Sequence, residues 1–278
     1  MKLRKELVRE IILSIIGILI TIIFLFPLLI IFFSSLKTES EIFSSAMTLL
    51  PKKIDFSSYI DQFVNFNIMR SFLNSFIIAL FSTMLSLILS IPASYGLARF
   101  NVPFKKSILL VFLLTQLLPT SLILTPLFIM FTKLKIINSY LGPILSTATI
   151  SIPFTILIMR TIFIKAPKEL EEAGKIDGCT MWQIFLKIFL PISKPGLITS
   201  ASFSFIMAWN DLIFSMTFNN NENLRPMTAG IYNFMSVYGT QWNRIMAYAV
   251  LLVLPVVIIF ILLQKYIVGG LLEGSVKG

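Results

Sequence analysis

Three features of this 278-residue sequence bear on the chemistry it could carry. It contains no histidine, so the commonest metal ligand and the commonest general base are both missing. Zinc, haem and Ser-His-Asp arrangements fall together, and neither catalytic residues nor a metal site is expected. A phosphate-binding loop requires Gly-x4-Gly-Lys and then Ser or Thr, so that backbone amides and the lysine hold the phosphates. Gly269 and Gly274 have that spacing, but Ser275 stands where the lysine must be. No nucleotide hydrolysis and no cofactor are therefore expected of this chain. The third feature is Asp211, the only carboxylate inside a long apolar run. Charge in such a run is costly unless it faces a cavity or a partner.

The elements that must position these residues follow from composition. Hydrophobic residues make up 56% of the chain, charged residues 13%, and the mean hydropathy is +0.90, whereas about a quarter of residues in a soluble domain are charged. Roughly 20 apolar residues in a helix cross the hydrocarbon layer while satisfying their own backbone polar groups. Six stretches meet that length: 11–33, 72–95, 108–131, 143–163, 196–218 and 245–263. The expected fold class is an all-α integral membrane protein with six transmembrane helices, formed by residues 1–278 as a single transmembrane domain. The first stretch is too long for a signal peptide, and the following "SSLKTESE" has no Ala-x-Ala pattern, so it is read as a retained helix.

Orientation follows from Lys and Arg, which prefer cytoplasmic segments near span ends. With the N-terminus inside, 15 of the 23 basic residues fall on inner segments and 8 on outer ones. Both termini and residues 164–195 are then cytoplasmic. The net charge of +10 sits at membrane margins and forms no basic-aromatic groove, so a lipid surface is expected as partner and nucleic acid is not. Cys179 is the only cysteine; on the cytoplasmic side it is expected as a reduced thiol.

The segment 164–195 differs from its neighbours. Pro167 suits a first helical position, Glu169, Glu171 and Glu172 crowd the positive end of a helix and Lys175 comes late, and Gly178 supplies a stop. Thr180 and Gln183 have capping-box spacing. Trp182, Phe185 and Phe189 recur at helical spacing until Pro191 and Pro195. Two short helices with a glycine corner are predicted. They fit either an amphipathic element on the membrane surface or a docking element for a soluble protein.

The sequence Glu172-Ala173-Gly174, three residues, Gly178, nine residues, Ile188-x-Leu190-Pro191 resembles the Glu-Ala-Ala-x3-Gly-x9-Ile-x-Leu-Pro loop of bacterial ABC importer permeases. The likeness extends over nearly the whole chain. "SLKTESEIF", "NSFIIAL", "YGLARF", "AWNDLIF" and "GSVKG" are similar to stretches of the carbohydrate-uptake (maltose-type) branch, and within it of the second membrane subunit. Gly174 departs from the usual alanine, which costs about 1 kcal/mol of helix propensity and implies a looser corner.

The resemblance implies a permease subunit of an ATP-driven importer for sugars or oligosaccharides in the bacterial inner membrane. Its implied partners are a second permease subunit, a dimer of an ATP-binding ATPase and an extracytoplasmic sugar-binding protein. Residues 164–195 become the cytoplasmic coupling loop, with Glu171, Glu172, Ala173, Gly174, Asp177, Gly178, Ile188, Leu190 and Pro191 as the ATPase-coupling residues. The outer loop would bring Tyr232, Tyr238 and Trp242 toward the binding protein, although such aromatics also form interfacial belts. The tail "EGSVKG" is expected to touch the ATPase pair.

At 100° per residue Ser200, Ser204 and Asp211 share a face, next to Asn210. These four are candidates for a translocation path; alternatively, Asn210 and Asp211 satisfy backbone groups at a helix break. Ser82, Ser86 and Ser90 form a second stripe, expected to pack helices, and Pro119, Pro126 and Pro153 are candidate bends. An ion-driven secondary transporter would require midplane ionisable residues and paired broken helices in two repeats, and a noncatalytic scaffold subunit would not require the loop spacing.

Overall fold

Apolar length translates into helices that can span a bilayer. The computed structural model describes residues 2–44, 48–236 and 239–275, and all their side chains except those of residues 2–8, 236 and 267–275. Among the described residues, Arg9–Ser35, Ile68–Arg99, Leu141–Lys165 and Trp242–Tyr266 are each long and apolar enough to cross a membrane. Two bent pairs, Lys105–Thr115 with Thr120–Lys133 (98°) and Met181–Ile192 with Lys194–Trp209 (78°), raise the number to six if each pair is one span.

In chain order the first helices are α1 (Lys2–Ser35), α2 (Glu39–Ile42), α3 (Ser57–Val64), α4 (Ile68–Arg99), α5 (Lys105–Thr115) and α6 (Thr120–Lys133). They are followed by α7 (Leu141–Lys165), α8 (Glu169–Ile176), α9 (Met181–Ile184) and, after a π-helical turn at Phe185–Phe189, α10 (Leu190–Ile192). The last are α11 (Lys194–Trp209), α12 (Ile213–Phe218), α13 (Met227–Gly230) and α14 (Trp242–Ser275). Two-residue strands, Met235–Ser236 and Gly239–Thr240, pair antiparallel.

The chain divides into two units. One comprises Met1–Ile68 and Ile231–Leu254. Here the polar residues that follow α1 tie helix ends together. Ser35 Oγ and Tyr59 OH are 2.6 Å apart, and Asp55 N donates to the Leu36 carbonyl at 2.9 Å. Glu39 accepts from the backbone N–H groups of Trp242 and Asn243 at 3.2 and 3.1 Å, so a carboxylate caps the positive end of α14. Phe234 is buried with its ring against Phe66 and Tyr248.

The other unit comprises Met69–Gly230 and Pro255–Gly278. The serine stripe of α4 packs on α7: Ser82 Oγ lies 2.6 Å from Thr147 Oγ1, Ser86 Oγ lies 3.4 Å from Thr155 Oγ1, and Ser90 Oγ donates to the Ile152 carbonyl. Small hydroxyls allow such close helix approach and satisfy themselves across the seam. Pro119 caps α6 at the 98° bend, while Pro126 and Pro153 sit inside unbroken helices.

The stretch 196–218, one of the six expected spans, is interrupted, in line with the helix-break reading of Asn210 and Asp211. α11 ends at Trp209 and α12 starts at Ile213. The physical reason is Asp211, whose carboxylate takes the backbone N–H groups of Phe214 and Ser215, the donors left free where a new helix starts.

Candidate functional site

The charged loop folds as two short helices around a corner. α8 has Glu169, Glu171 and Glu172 in its first turn, and Glu171 meets Lys175 at 2.8 Å. Pro167 stands ahead of the cap residue Lys168 and not at the first helical position, because the helix begins two residues later. Gly178 has φ +74°, a left-handed conformation that glycine adopts without a Cβ penalty. Thr180 and Gln183 complete a capping box: Gln183 N donates to Thr180 Oγ1 at 3.3 Å, and Thr180 N to Gln183 Oε1 at 2.8 Å.

Gly174 has a packing role that propensity does not reveal. It is buried, and a Cβ built on it would lie 2.9 Å from Ile184 Cγ1 and 3.0 Å from Ile188 Cδ1. The missing methyl group lets α8 seat directly on the following segment, so at this contact the two helices approach more closely than alanine would allow. Ile184 is fully buried and Ile188 partly so.

The opposite face is open. Glu172, Ala173, Asp177 and Gly178 are exposed, as is Pro191, while Glu171 and Leu190 are half-buried. Ile176 is 86% exposed, a large aliphatic side chain at the tip of a charged element. The helical spacing of the loop's aromatic residues does not single it out; only its position next to the corner could have done so. Cys179 is half-buried against the core beneath.

That core is aromatic. Phe185 and Phe189 are buried and pack with Tyr95 and Phe163, the Tyr95 ring centroid lying 4.9, 5.2 and 5.5 Å from those of Phe185, Phe189 and Phe163. The π-helical turn widens the backbone between Phe185 and Phe189, and turns of this kind occur often at functional sites. Trp182, at the same helical spacing, is 60% exposed, with its ring tilted against that of Phe185 at a centroid distance of 5.1 Å. Arg99, at the end of α4, donates to the carbonyl of Ala166, which ends α7, and lies over the Phe189 ring. The water-facing loop is thus fastened to α4 and α7.

The path candidates separate into two places. Ser200 and Ser204 are buried in the seam between helices, with Ser204 Oγ 3.2 Å from Thr155 Oγ1. Asn210 is exposed at the helix break. Asp211 accepts from Phe214 N at 3.1 Å, Ser215 N at 2.9 Å and Ser215 Oγ at 2.7 Å, and its own carbonyl accepts from Thr228 Oγ1. The common face computed from helical spacing ends at Trp209, because the helix does.

A cavity of about 700 Å³ opens elsewhere in this unit, lined by residues that include Leu113, Gln116, Phe154, Ile158, Ser193 and Thr199. Ser193 Oγ is buried without a hydrogen-bond partner, and Gln116 donates to the Ile150 carbonyl. The apolar stretches hid this cavity from the sequence, since its walls come from α5, α7 and the start of α11. In the other unit Tyr232 and Trp242 are exposed. Tyr238 lies outside the described residues, as do Val276, Lys277 and Gly278 of the tail.

Residues 86–272 match the family model described as "Binding-protein-dependent transport system inner membrane component". The chain is 33% identical to the sulfoquinovosyl glycerol transport system permease protein SmoH of Agrobacterium fabrum, over 91% of this chain and 89% of SmoH. It is 30% identical to the arabinooligosaccharides transport system permease protein AraQ of Bacillus subtilis, covering 98% and 97%, and 32% identical to the trehalose transport system permease protein SugB of Mycobacterium tuberculosis, covering 91% and 93%. In fold it matches a chain of a bacterial ABC transporter involved in the import of the acidic polysaccharide alginate, with a TM-score of 0.80 and 23% identity over 95% of this chain and 98% of that one.

Proposed function

This chain belongs to the family of binding-protein-dependent transport system inner membrane components, and we propose that it couples ATPase closure to alternating access through the loop 164–195. It is a multi-pass membrane protein and a permease subunit of an ATP-driven importer. Carbohydrate is the cargo we assign: sulfoquinovosyl glycerol, arabinooligosaccharide and trehalose permeases are among its relatives. The chain supplies six spans, the fifth beginning at Lys194 after the loop, with both termini cytoplasmic. It works beside a second permease, two ATPase copies and an extracytoplasmic sugar-binding protein.

One observation carries the coupling reading. An acidic corner with an 86% exposed isoleucine is mounted rigidly on a buried aromatic core. A solvated loop has no use for that core, whereas a lever needs it, because packed cores transmit displacement. Glu171, Glu172, Ala173, Asp177 and Gly178 form the docking surface, while Gly174, Ile188, Leu190 and Pro191 connect it to the membrane helices. Closing of the ATPases on ATP moves α8, and the Tyr95, Phe163, Phe185 and Phe189 cluster passes the movement to α4 and α7 as a rigid-body shift. The seam of Ser200 and Ser204 and the break at Asn210 and Asp211 belong to the elements that move. The cavity lined by Gln116 and Ser193 is the space they open to the solute.

Crosslinking tests this reading. With Cys179→Ser and a single Ala173→Cys, the assembled complex in membranes is expected to crosslink to the ATPase, in a yield that differs with and without ATP. An intact complex without that crosslink would sink it.

A further inference from the structure

Among the described residues, α3 presents an amphipathic pattern with the usual sides exchanged. Phe56, Ile60, Phe63 and Val64, at i, i+4, i+7 and i+8, share one face of about 100°. All four are exposed, by 58, 60, 54 and 72%. The opposite side carries Ser58 and Gln62, exposed by 2 and 0%. A helix in water would be turned round, because burying polar groups beneath exposed aromatic and aliphatic ones reverses the hydrophobic driving force.

The polar side has work to do. Tyr59 OH meets Ser35 Oγ in the last turn of α1, Gln62 Nε2 donates to the Arg244 carbonyl at 3.2 Å, and Asp61 pairs with the Arg244 guanidinium. Ser35 ends one helix of membrane-crossing length and Arg244 stands in the first turn of another. These three contacts therefore hold α3 at the depth where two spans meet the headgroups. The chain enters and leaves α3 at that same face, between the end of α1 and the start of α4. Lys52 and Lys53, just before the helix, are exposed, as suits a segment lying against phosphates.

We propose that α3 is an interfacial helix, its Phe56, Ile60, Phe63 and Val64 face inserted at the boundary of headgroups and acyl chains and its polar face clamped to the ends of α1 and α14. The occupant of this apolar face is the phospholipid bilayer. Insertion anchors the start of α14 and the end of α1 at a set depth, so the unit they form rides with the membrane surface whichever solute is carried. The inference rests on the membrane reading alone and not on the choice of ATPase or cargo.

The test uses the whole complex in phospholipid vesicles, with Cys179→Ser and a single bimane-labelled cysteine at Ile60, Val64 or the exposed, opposite Asn65. Spin-labelled phosphatidylcholine with the label near the glycerol end should quench the Ile60 and Val64 probes at least about twofold more than the Asn65 probe, and aqueous iodide should show the reverse order. Iodide quenching at Ile60 without lipid quenching would mean a water-facing surface for a soluble partner and would overturn the proposal. Protection from both quenchers would mean a protein cover, and would overturn it equally.

Discussion

The guanidinium carbon of Arg99 lies 4.5 Å from the centroid of the Phe189 ring while the same side chain donates to the Ala166 carbonyl. One residue at the end of α4 thereby holds both the point where α7 stops and the π-helical turn that follows the charged corner.

Arg99→Ala should therefore break the fastening on both sides. A cation–π contact and a charge-assisted hydrogen bond together contribute about 1–2 kcal/mol, so uptake should fall roughly tenfold. Arg99→Lys should recover only part, because an ammonium cannot stack and reach the carbonyl together. The readout is transport per ATP hydrolysed in vesicles. Unchanged coupling in Arg99→Ala would show that the contact does not transmit movement.

Ile176→Ala tests the exposed knob. Burying an isoleucine against a partner is worth about 1.5–3 kcal/mol, so the ATPase should dissociate roughly ten- to a hundredfold more readily in detergent. The permease's own Tm should stay the same, since Ile176 touches little of it. Equal retention of ATPase on the variant and the parent would remove Ile176 from the docking surface.

Gly174→Ala and Gly178→Ala separate two uses of glycine. At Gly174 the added methyl meets Ile184 and Ile188, and crowding of about 1–3 kcal/mol outweighs the helix propensity it gains. At Gly178 nothing lies within 4 Å of a built Cβ, so the cost of about 1–2 kcal/mol is purely conformational. Trimming Ile188 to valine, which removes the Cδ1 atom but leaves Ile184 in place, should relieve the first variant in part and leave the second unchanged in thermal melts.

Asp211→Asn keeps one of the two acceptor oxygens that take the N–H groups of Phe214 and Ser215, and Asp211→Ala removes both. Loss of a helix cap costs about 1 kcal/mol. Asparagine should therefore retain most stability and transport, and alanine should lose both. A transport loss in Asp211→Asn at unchanged Tm would instead make the carboxylate a ligand of the solute.

The amino-acid order determined a great deal here. Apolar length alone located the long helices, since a segment that must satisfy its backbone within a bilayer has few conformations open to it. The charged first turn of α8, the positive φ of Gly178 and the Thr180–Gln183 box followed from local chemistry that needs no distant neighbour. Tertiary structure decided the rest. Helical spacing left Asn210 and Asp211 open to either a path or a helix break, because Asp211 acts through backbone donors that exist only once α12 forms. The close seat of α8 at Gly174 depends on Ile184 and Ile188 meeting it from the next turns. Glu39 capping α14, more than two hundred residues further along by the numbering, and the outward apolar face of α3 are long-range relations. Spacing along the chain reports which residues share a helix face, and only the fold determines whether that face meets protein, water or lipid.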